Sequence, residues 1–142
     1  MGKGTTFSSD LLKLIFNGTT IANLADNAGT APLTHLYISL HTADPGAGGN
    51  QQTNETSYGS YARVAVIRTN GGWTITNNSV SPLANIDFPA CSSGTATITH
   101  VGIGTASSGA GKLLYSGAIT PNISVSTGVQ PRLTTASAIS ET

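Results

Sequence analysis

The clearest structural signal in this 142-residue chain is the alternating run Leu36-Tyr37-Ile38-Ser39-Leu40-His41. Successive side chains of a β-strand point to opposite faces, so this period of two predicts a strand with one buried face. A turn is expected directly after it, at Asp44-Pro45-Gly46, where the Asp44 side chain caps the backbone. The strongest segment of the chain therefore indicates a β protein.

Short apolar clusters between turn residues extend this pattern. Residues 61–69 predict a second strand, Asn70-Gly71-Gly72 predicts a tight hairpin turn, and residues 73–76 are expected to return as the partner strand. The polar segment 47–59 is expected to be a loop that holds no core. Further strands are expected at 84–88, 95–103, 112–119, 123–126, 129–135 and, as an edge strand, within 136–142. Roughly eight strands with regular turns predict a mostly β fold, a jelly-roll-like antiparallel β-sandwich.

One segment near the N-terminus has a helical period instead. Leu11, Leu14 and Ile15 are spaced as on one helix face. Ser8-Ser9-Asp10 offers N-cap oxygens, and Asn17-Gly18 predicts the end of the helix. We expect a single domain over residues 1–142, with a flexible N-terminal arm (1–7), one short helix (8–17) and a β-sandwich (33–142).

Charge is scarce. Only 8% of the residues are Asp, Glu, Lys or Arg and the net charge is zero, whereas ordinary domains carry about 25%. Without a basic patch, nucleic-acid binding is not expected. No apolar run approaches the length of a membrane span, and the N-terminus lacks the apolar core of a signal peptide. Cys91 is the only cysteine, which excludes an intrachain disulfide.

The residues that could carry chemistry do not form a site. His35 and His41 lie about 20 Å apart along one strand and cannot share an ion. His41 and Asp44 alone are too few for a structural metal site. We expect His41 to hydrogen-bond the backbone beside the turn, and we expect no metal.

Catalytic and cofactor motifs are missing as well. No Gly-x-Ser-x-Gly elbow occurs, the acidic residues are scattered, and Gly102-Ile103-Gly104 lacks the third glycine and the helix of a dinucleotide-binding motif. Cys91 has no cation near it in sequence that would activate its thiol. The sequence therefore predicts no enzyme, no catalytic residue and no cofactor.

Several segments, taken together and in order, resemble a family of small phage and prophage structural proteins. Its members are often labelled tail-fibre proteins, and similar chains act as capsid cement proteins of short-tailed phages with a jelly-roll fold. The resemblance covers about the whole chain. The segments that carry it are Gly2-Lys3-Gly4-Thr5, Leu40 to Gly46, Tyr61 to Val66, Gly72-Trp73-Thr74, Gly102 to Thr105 and Lys112 to Gly117.

This resemblance implies a virion structural protein, a cement or decoration protein on the capsid surface that binds and stabilises the shell of major capsid protein. It implies assembly in the host cytoplasm and self-association, as a homodimer rather than a trimer. A tail or tail-fibre-associated protein is one alternative. A carbohydrate-binding jelly-roll module is the other.

The interface is expected at the N-terminus, because its helix is more apolar than one covered face requires. Two interpretations remain open: the arm and helix dock onto a second copy or the major capsid protein, or the helix closes one end of the sandwich. The candidate interface residues are Lys3, Phe7, Leu11, Leu12, Ile15 and Phe16.

Overall fold

The structure, a computed structural model, describes residues 5–21 and 32–142. In these residues it contains one helix and nine strands. The neighbouring strands β1–β6, β3–β4, β4–β9 and β6–β7, whose bounds follow, pair antiparallel. The mostly β fold with one short helix is confirmed. The elements are α1 (Thr5–Asn17), β1 (His35–His41), β2 (Val64–Ile67), β3 (Trp73–Thr76), β4 (Ser79–Pro82), β5 (Ile86–Asp87), β6 (Ala96–Gly104), β7 (Leu113–Val125), β8 (Arg132–Leu133) and β9 (Ile139–Ser140).

The chain divides into two compact units. Unit 1 comprises residues 1–35, 67–85 and 133–142, and unit 2 comprises residues 36–66 and 86–132. The expectation of a single domain over residues 1–142 stays a prediction.

Unit 1 packs α1 against a three-stranded sheet in the order β3-β4-β9. The ring of Phe16 meets Trp73 edge-to-face, with centroids 4.7 Å apart, and Leu12 is fully buried. Edge-to-face aromatic pairs add about 0.5–1.5 kcal/mol beyond the area they bury. The apolar face of the helix therefore contributes to the core of this unit.

The helix begins earlier than the sequence indicates. It starts at Thr5, so residues 5–7 are helical rather than part of a flexible arm, and Ser8 lies buried inside it. The predicted N-cap at Ser8-Ser9-Asp10 is wrong, because serine costs only about 0.5 kcal/mol in a helix interior and does not force a start. Residues 1–4 of the predicted arm lie outside the described residues.

The end of the helix is confirmed at Gly18, whose φ of 65° is the left-handed conformation that glycine adopts without strain. The last carbonyl groups of α1 are capped by a side chain that the sequence did not indicate. The Arg68 guanidinium donates to the carbonyl oxygens of Leu14 at 2.6 Å and Ile15 at 2.5 Å. Arg68 thus satisfies acceptors that a helix end leaves without partners.

The predicted hairpin at Asn70-Gly71-Gly72 is wrong. Strand β3 pairs with β4, not with β2, and the two-residue turn is Asn77-Asn78. Asn77 has a φ of 55°, which asparagine tolerates better than most residues. The sequence failed to indicate β4 because Ser79–Pro82 carries only one large apolar residue. The edge strand expected in the tail is confirmed as β9, which pairs with β4.

Unit 2 is built on a four-stranded sheet in the order β2-β1-β6-β7. The expected strand at 61–69 is shorter, Val64–Ile67, and keeps the expected alternation of half-buried and exposed residues. Strand β1 is correct, but it is buried on both faces, since Ser39 and His41 are as inaccessible as Leu40. The prediction of one buried face failed because Gln51 and Thr53 lie against the polar side, where they hydrogen-bond Tyr37 and His41.

The two strands expected at 112–119 and 123–126 form one strand, β7. Its pairing with β6 is nevertheless interrupted where the sequence indicated a break. Ile98 pairs with Ile123 and His100 with Ala118, so residues 119–122 bulge opposite Thr99. In the remaining two-stranded sheet, β5-β8, the short strands are joined by a bidentate contact between Asp87 and Arg132.

Candidate functional site

The polar side chains of unit 2 converge beneath the loop 47–59. His41 is fully buried there. Its Nδ1 lies 2.8 Å from the carbonyl oxygen of Thr53, and its Nε2 lies 2.9 Å from Oγ of Ser39. A carbonyl only accepts, so Nδ1 carries the proton and Nε2 accepts from the serine hydroxyl. The expected hydrogen bond from His41 to the backbone is confirmed, as is the Asp44 cap, which accepts from the Gly46 amide at 2.8 Å.

The Ser39–His41 pair has the spacing of a nucleophile and its base. Both side chains have no exposed surface, however, and the group behind the imidazole is a carbonyl rather than a carboxylate. Burial lowers the pKa of His41, because the imidazolium would lose its hydration. The arrangement keeps a neutral imidazole inside the fold.

Gln51 joins the loop to the sheet. The side-chain Nε2 donates to the carbonyl of Tyr37 at 3.3 Å, and the side-chain Oε1 accepts from the Ala106 amide at 2.9 Å. The backbone N–H of Gln51 donates to the carbonyl of Gly111 at 3.0 Å. The side chain is fully buried. The expectation that residues 47–59 hold no core is therefore wrong: the polar sequence conceals a buried residue that anchors the loop through hydrogen bonds.

A buried ion pair supports the same loop. Arg63 and Glu55 form a bidentate contact with both distances at 2.7 Å, and Tyr61 donates to the same carboxylate at 2.8 Å. The hydrogen bond to Glu55 raises the pKa of Arg63, while burial raises that of Tyr61. Arg63 also donates to the carbonyls of Ala106 and Gly109. One guanidinium thus holds the 47–59 loop and the turn between β6 and β7.

An open cleft borders this cluster, between residues 55–59 and 93–96. Its lining is rich in small hydroxyl side chains, and it includes Glu55, whose carboxylate is already held by Arg63. The hydroxyl of Thr56 is buried and has no hydrogen-bond partner. The serine and threonine residues of the lining are Thr42, Thr56, Ser57, Ser93 and Thr95.

The structure separates the candidate interface residues by exposure. Lys3 lies outside the described residues. Leu12 and Phe16 are fully buried, Leu11 and Ile15 are half-buried, and Phe7 is 38% exposed. The helix therefore directs its two largest buried side chains inward, and an interface role for the others stays a prediction.

No group of three or more His, Cys, Asp or Glu side chains within residues 5–21 and 32–142 is placed to hold a metal ion. Over the same ranges, no helix is both long and apolar enough to cross a membrane. His35 and His100 instead contact the hydroxyls of the neighbouring Thr34 and Thr99.

Sequence reasoning missed Gln51, Glu55 and Arg63. The glycines of Gly102-Ile103-Gly104 offered a signal for Gln51 alone, and no sequence signal pointed to Glu55 or Arg63. A β-carbon on Gly102 would lie 2.7 Å from Nε2 of His41, and one on Gly104 would lie 2.1 Å from Cδ of Gln51. Paired glycines inside a strand indicate close approach by other groups.

The whole-chain comparison agrees with a structural role. The model of a family described as "Podophage GP4 fiber I protein gp80" matches residues 4–140. No curated protein matches the chain. Because the family model covers nearly all of the sequence, the chain belongs to the podophage GP4 fiber I protein gp80 family and is a phage virion structural protein.

Proposed function

We propose that this protein is a non-catalytic subunit of the virion exterior that works through protein–protein contacts. The observation that carries this proposal is that the arginines of the chain are used for contacts within it. All three arginines of the chain, Arg63, Arg68 and Arg132, bind acceptors within it. Neighbouring subunits can then pack against neutral surface without removing water from free ions, which is the costly part of burying charge.

A fibre is the placement that the family description favours, since it names a fiber protein. In this proposal the chain is one subunit of a fibre attached to the particle at discrete positions.

A cement protein bound to the major capsid protein is the second candidate. Its support is the resemblance of the motifs around Leu40 to Gly46 and Tyr61 to Val66 to capsid cement proteins of short-tailed phages. A neutral, low-charge surface suits a decoration protein present at many copies as well as it suits a fibre.

Gold-labelled antibodies against this protein, applied to purified virions under the electron microscope, distinguish the two placements. Label at a few fixed positions supports the fibre, and an even coat over the head supports the cement protein. Virions without label, made by a phage whose protein is detected in the lysate, would overturn both.

A carbohydrate-binding role has less support from the geometry. Such sites commonly use an exposed aromatic platform, yet Trp73 and Tyr58 are 3% and 5% exposed. Within residues 5–21 and 32–142, the feature that suits a glycan is the hydroxyl-lined cleft. Calorimetric titration of the protein with host surface glycans tests this role, and heat that saturates at one glycan per chain would establish it.

A further inference from the structure

The dipeptide Asn-Gly occurs twice in the chain, at Asn17-Gly18 and at Asn70-Gly71. Asparagine is one of the chemically labile residues of proteins. Its side-chain amide is lost when the backbone nitrogen of the next residue attacks the amide carbon. Glycine hinders this attack least, because it has no side chain and the most mobile backbone. The structure places the two dipeptides in different surroundings.

Asn70 lies in the turn between β2 and β3. Both Asn70 and Gly71 are exposed, and within the described residues no hydrogen bond holds the side-chain amide of Asn70. A β-carbon built on Gly71 would meet a single atom within 4 Å, Oγ1 of Thr69 at 3.3 Å. Exposed loop tips of this kind are mobile. Little therefore stands between the Asn70 side chain and the Gly71 nitrogen.

The attacking nitrogen is held by one surface contact. The Gly71 N–H donates to Oγ1 of Thr69 at 3.1 Å, and this bond is exposed. Exposed hydrogen bonds outside a packed core open locally at little cost in free energy. The turn has two further bonds, since the amides of Gly72 and Trp73 both donate to the carbonyl of Thr69. The Gly71 nitrogen can thus be released while the turn remains formed.

Asn17 is fixed by the end of the helix. It is the last residue of α1, it is half-buried, and its Oδ1 is buried. The Thr19 amide closes the helix end by donating to the carbonyl of Lys13 at 3.0 Å, and Arg68 binds two carbonyls of the last turn. Turning the Asn17 backbone for the attack would break these bonds. The first Asn-Gly dipeptide is therefore protected by the fold.

We propose that Asn70 is a site of spontaneous deamidation in the folded protein, where water converts it to aspartate and isoaspartate. The backbone nitrogen of Gly71 loses its proton and bonds to Cγ of Asn70, and the side-chain nitrogen leaves with that proton as ammonia. Water then opens the cyclic imide at either of its two carbonyls. One opening gives aspartate, and the other gives isoaspartate, in which the chain runs through the side-chain carbonyl. No atom is oxidised or reduced.

Both products change the surface of the protein. Each adds one negative charge to a chain whose net charge is zero. Isoaspartate also inserts one more carbon into the backbone of the turn that Gly72 and Trp73 close on Thr69. A neutral surface therefore gains a free carboxylate as the particle ages. The reaction needs only water, so it does not depend on whether the protein lies in a fibre or on the capsid.

Incubation of the folded protein in mildly alkaline heavy-oxygen water tests the proposal. After digestion in ordinary water, sequencing of the peptides by mass spectrometry shows which asparagines have taken up heavy oxygen. We expect label at Asn70 at least about tenfold faster than at Asn17, because only the exposed turn opens readily. In protein unfolded by urea the two rates should agree within about twofold, because the protection of Asn17 is then lost.

The matched variant is Gly71→Ala. Gly71 does not have a positive φ, and the new methyl group meets only the flexible Thr69 side chain, so the turn is kept while the attacking nitrogen becomes hindered. Conversion at Asn70 should slow by about tenfold or more. Circular dichroism confirms that the variant is folded.

The proposal is overturned if Asn70 keeps its amide over a period in which the unfolded chain is converted. It is also overturned if Asn17 reacts as fast as Asn70 in the folded protein. Conversion of Gly71→Ala at the wild-type rate would overturn it as well, because the reaction would then not pass through the Gly71 nitrogen.

Discussion

Gln51 occupies the space that a side chain at Gly104 would need. A β-carbon built on Gly104 lies 2.1 Å from Cδ of Gln51 and 2.5 Å from its Nε2, whereas carbon atoms in favourable contact are about 3.5–4.0 Å apart. A β-carbon built on Gly111 would likewise lie 2.1 Å from Oε1 of the same side chain. Glycine is required at both positions so that the loop 47–59 can insert its amide group into the sheet.

Replacing Gly104 by alanine should destabilise the protein. The added methyl group displaces Gln51 and breaks its hydrogen bonds to Tyr37 and Ala106. We expect the free energy of unfolding in urea to fall by about 1–3 kcal/mol, the usual cost of overpacking a core.

Two further variants make this test specific. Gly117→Ala lies in the neighbouring strand where the methyl group meets nothing within 4 Å, so its stability should not decrease. In a Gln51→Ala background, Gly104→Ala should cost less than it does alone. Strictly additive losses in the double variant would contradict the steric explanation.

Acid should weaken the protein through His41. Burial lowers its pKa in the folded state, while the unfolded chain protonates at about 6.5. Below that pH the unfolded state binds more protons, so stability is lost as the pH falls towards the lowered folded pKa. For one such group, the free energy of unfolding should decrease by up to about 1.4 kcal/mol per pH unit within this window.

Urea titrations between pH 7.5 and 5.5 measure this slope. His41→Gln should be less stable than the wild type at pH 7.5. Its free energy of unfolding should change much less with pH between 7.5 and 5.5. His100→Gln is the matched control and should keep it. A wild type equally stable at both ends of this range would refute the role of His41.

Replacing Arg63 should strongly destabilise the folded protein. Arg63→Met leaves Glu55 buried without its cation and frees the carbonyls of Ala106 and Gly109. Breaking a buried ion pair from one side costs about 3–5 kcal/mol. Thermal unfolding followed by circular dichroism should therefore show a strongly lowered midpoint.

The control is the exposed pair formed by Arg132 and Asp87, whose side chains are 53% and 38% exposed. Exposed pairs contribute little because water and salt screen them. Arg132→Met should shift the midpoint far less than Arg63→Met, and equal shifts would remove the special role assigned to the buried pair.

Two positions of the helix differ in their surroundings: one lies in the core, and the other is a candidate for contact with a partner. Leu12 is fully buried and Phe7 is 38% exposed. Leu12→Asp should destabilise the fold by roughly 3–5 kcal/mol, because it buries an unpaired charge. Phe7→Asp should lower the unfolding midpoint much less, since the new carboxylate at this partly exposed position reaches water and only part of an apolar side chain is lost.

Phe7→Asp then tests the predicted interface without damage to the fold. If the N-terminal helix docks onto a virion partner, phage carrying this variant should incorporate less of the protein, as measured on purified particles. Normal incorporation would indicate that Phe7 makes no such contact and that the helix serves unit 1 alone.

Local patterns in the sequence were sufficient for much of the secondary structure. The alternation in Leu36–His41, the end of the helix at Gly18 and the break in β7 near Pro121 each depend on a residue and its immediate neighbours. The absence of a complete catalytic or metal-binding motif could be read in the same way. The low charge, a property of composition, pointed towards a packed structural protein.

Strand partners and side-chain contacts between residues far apart along the chain could not be predicted from the sequence. Asn70-Gly71-Gly72 has the composition of a hairpin turn, yet the strands beside it join different sheets, since pairing is set by which surfaces become buried together. A polar loop likewise gives no sign that Gln51 inserts between Gly104 and Gly111, 53 and 60 residues further along the chain.

Side-chain spacing and backbone preference were enough to predict a neutral, mostly β chain with one short helix, the Asp44 turn and the end of the helix at Gly18. They did not predict the turn at Asn77-Asn78. Nor could they predict which polar groups become buried and paired, namely His41 with Thr53, Arg63 with Glu55, and Arg68 with the end of the helix. The physical reason is that a buried polar group needs a partner in three-dimensional space, and its distance along the chain does not specify that partner.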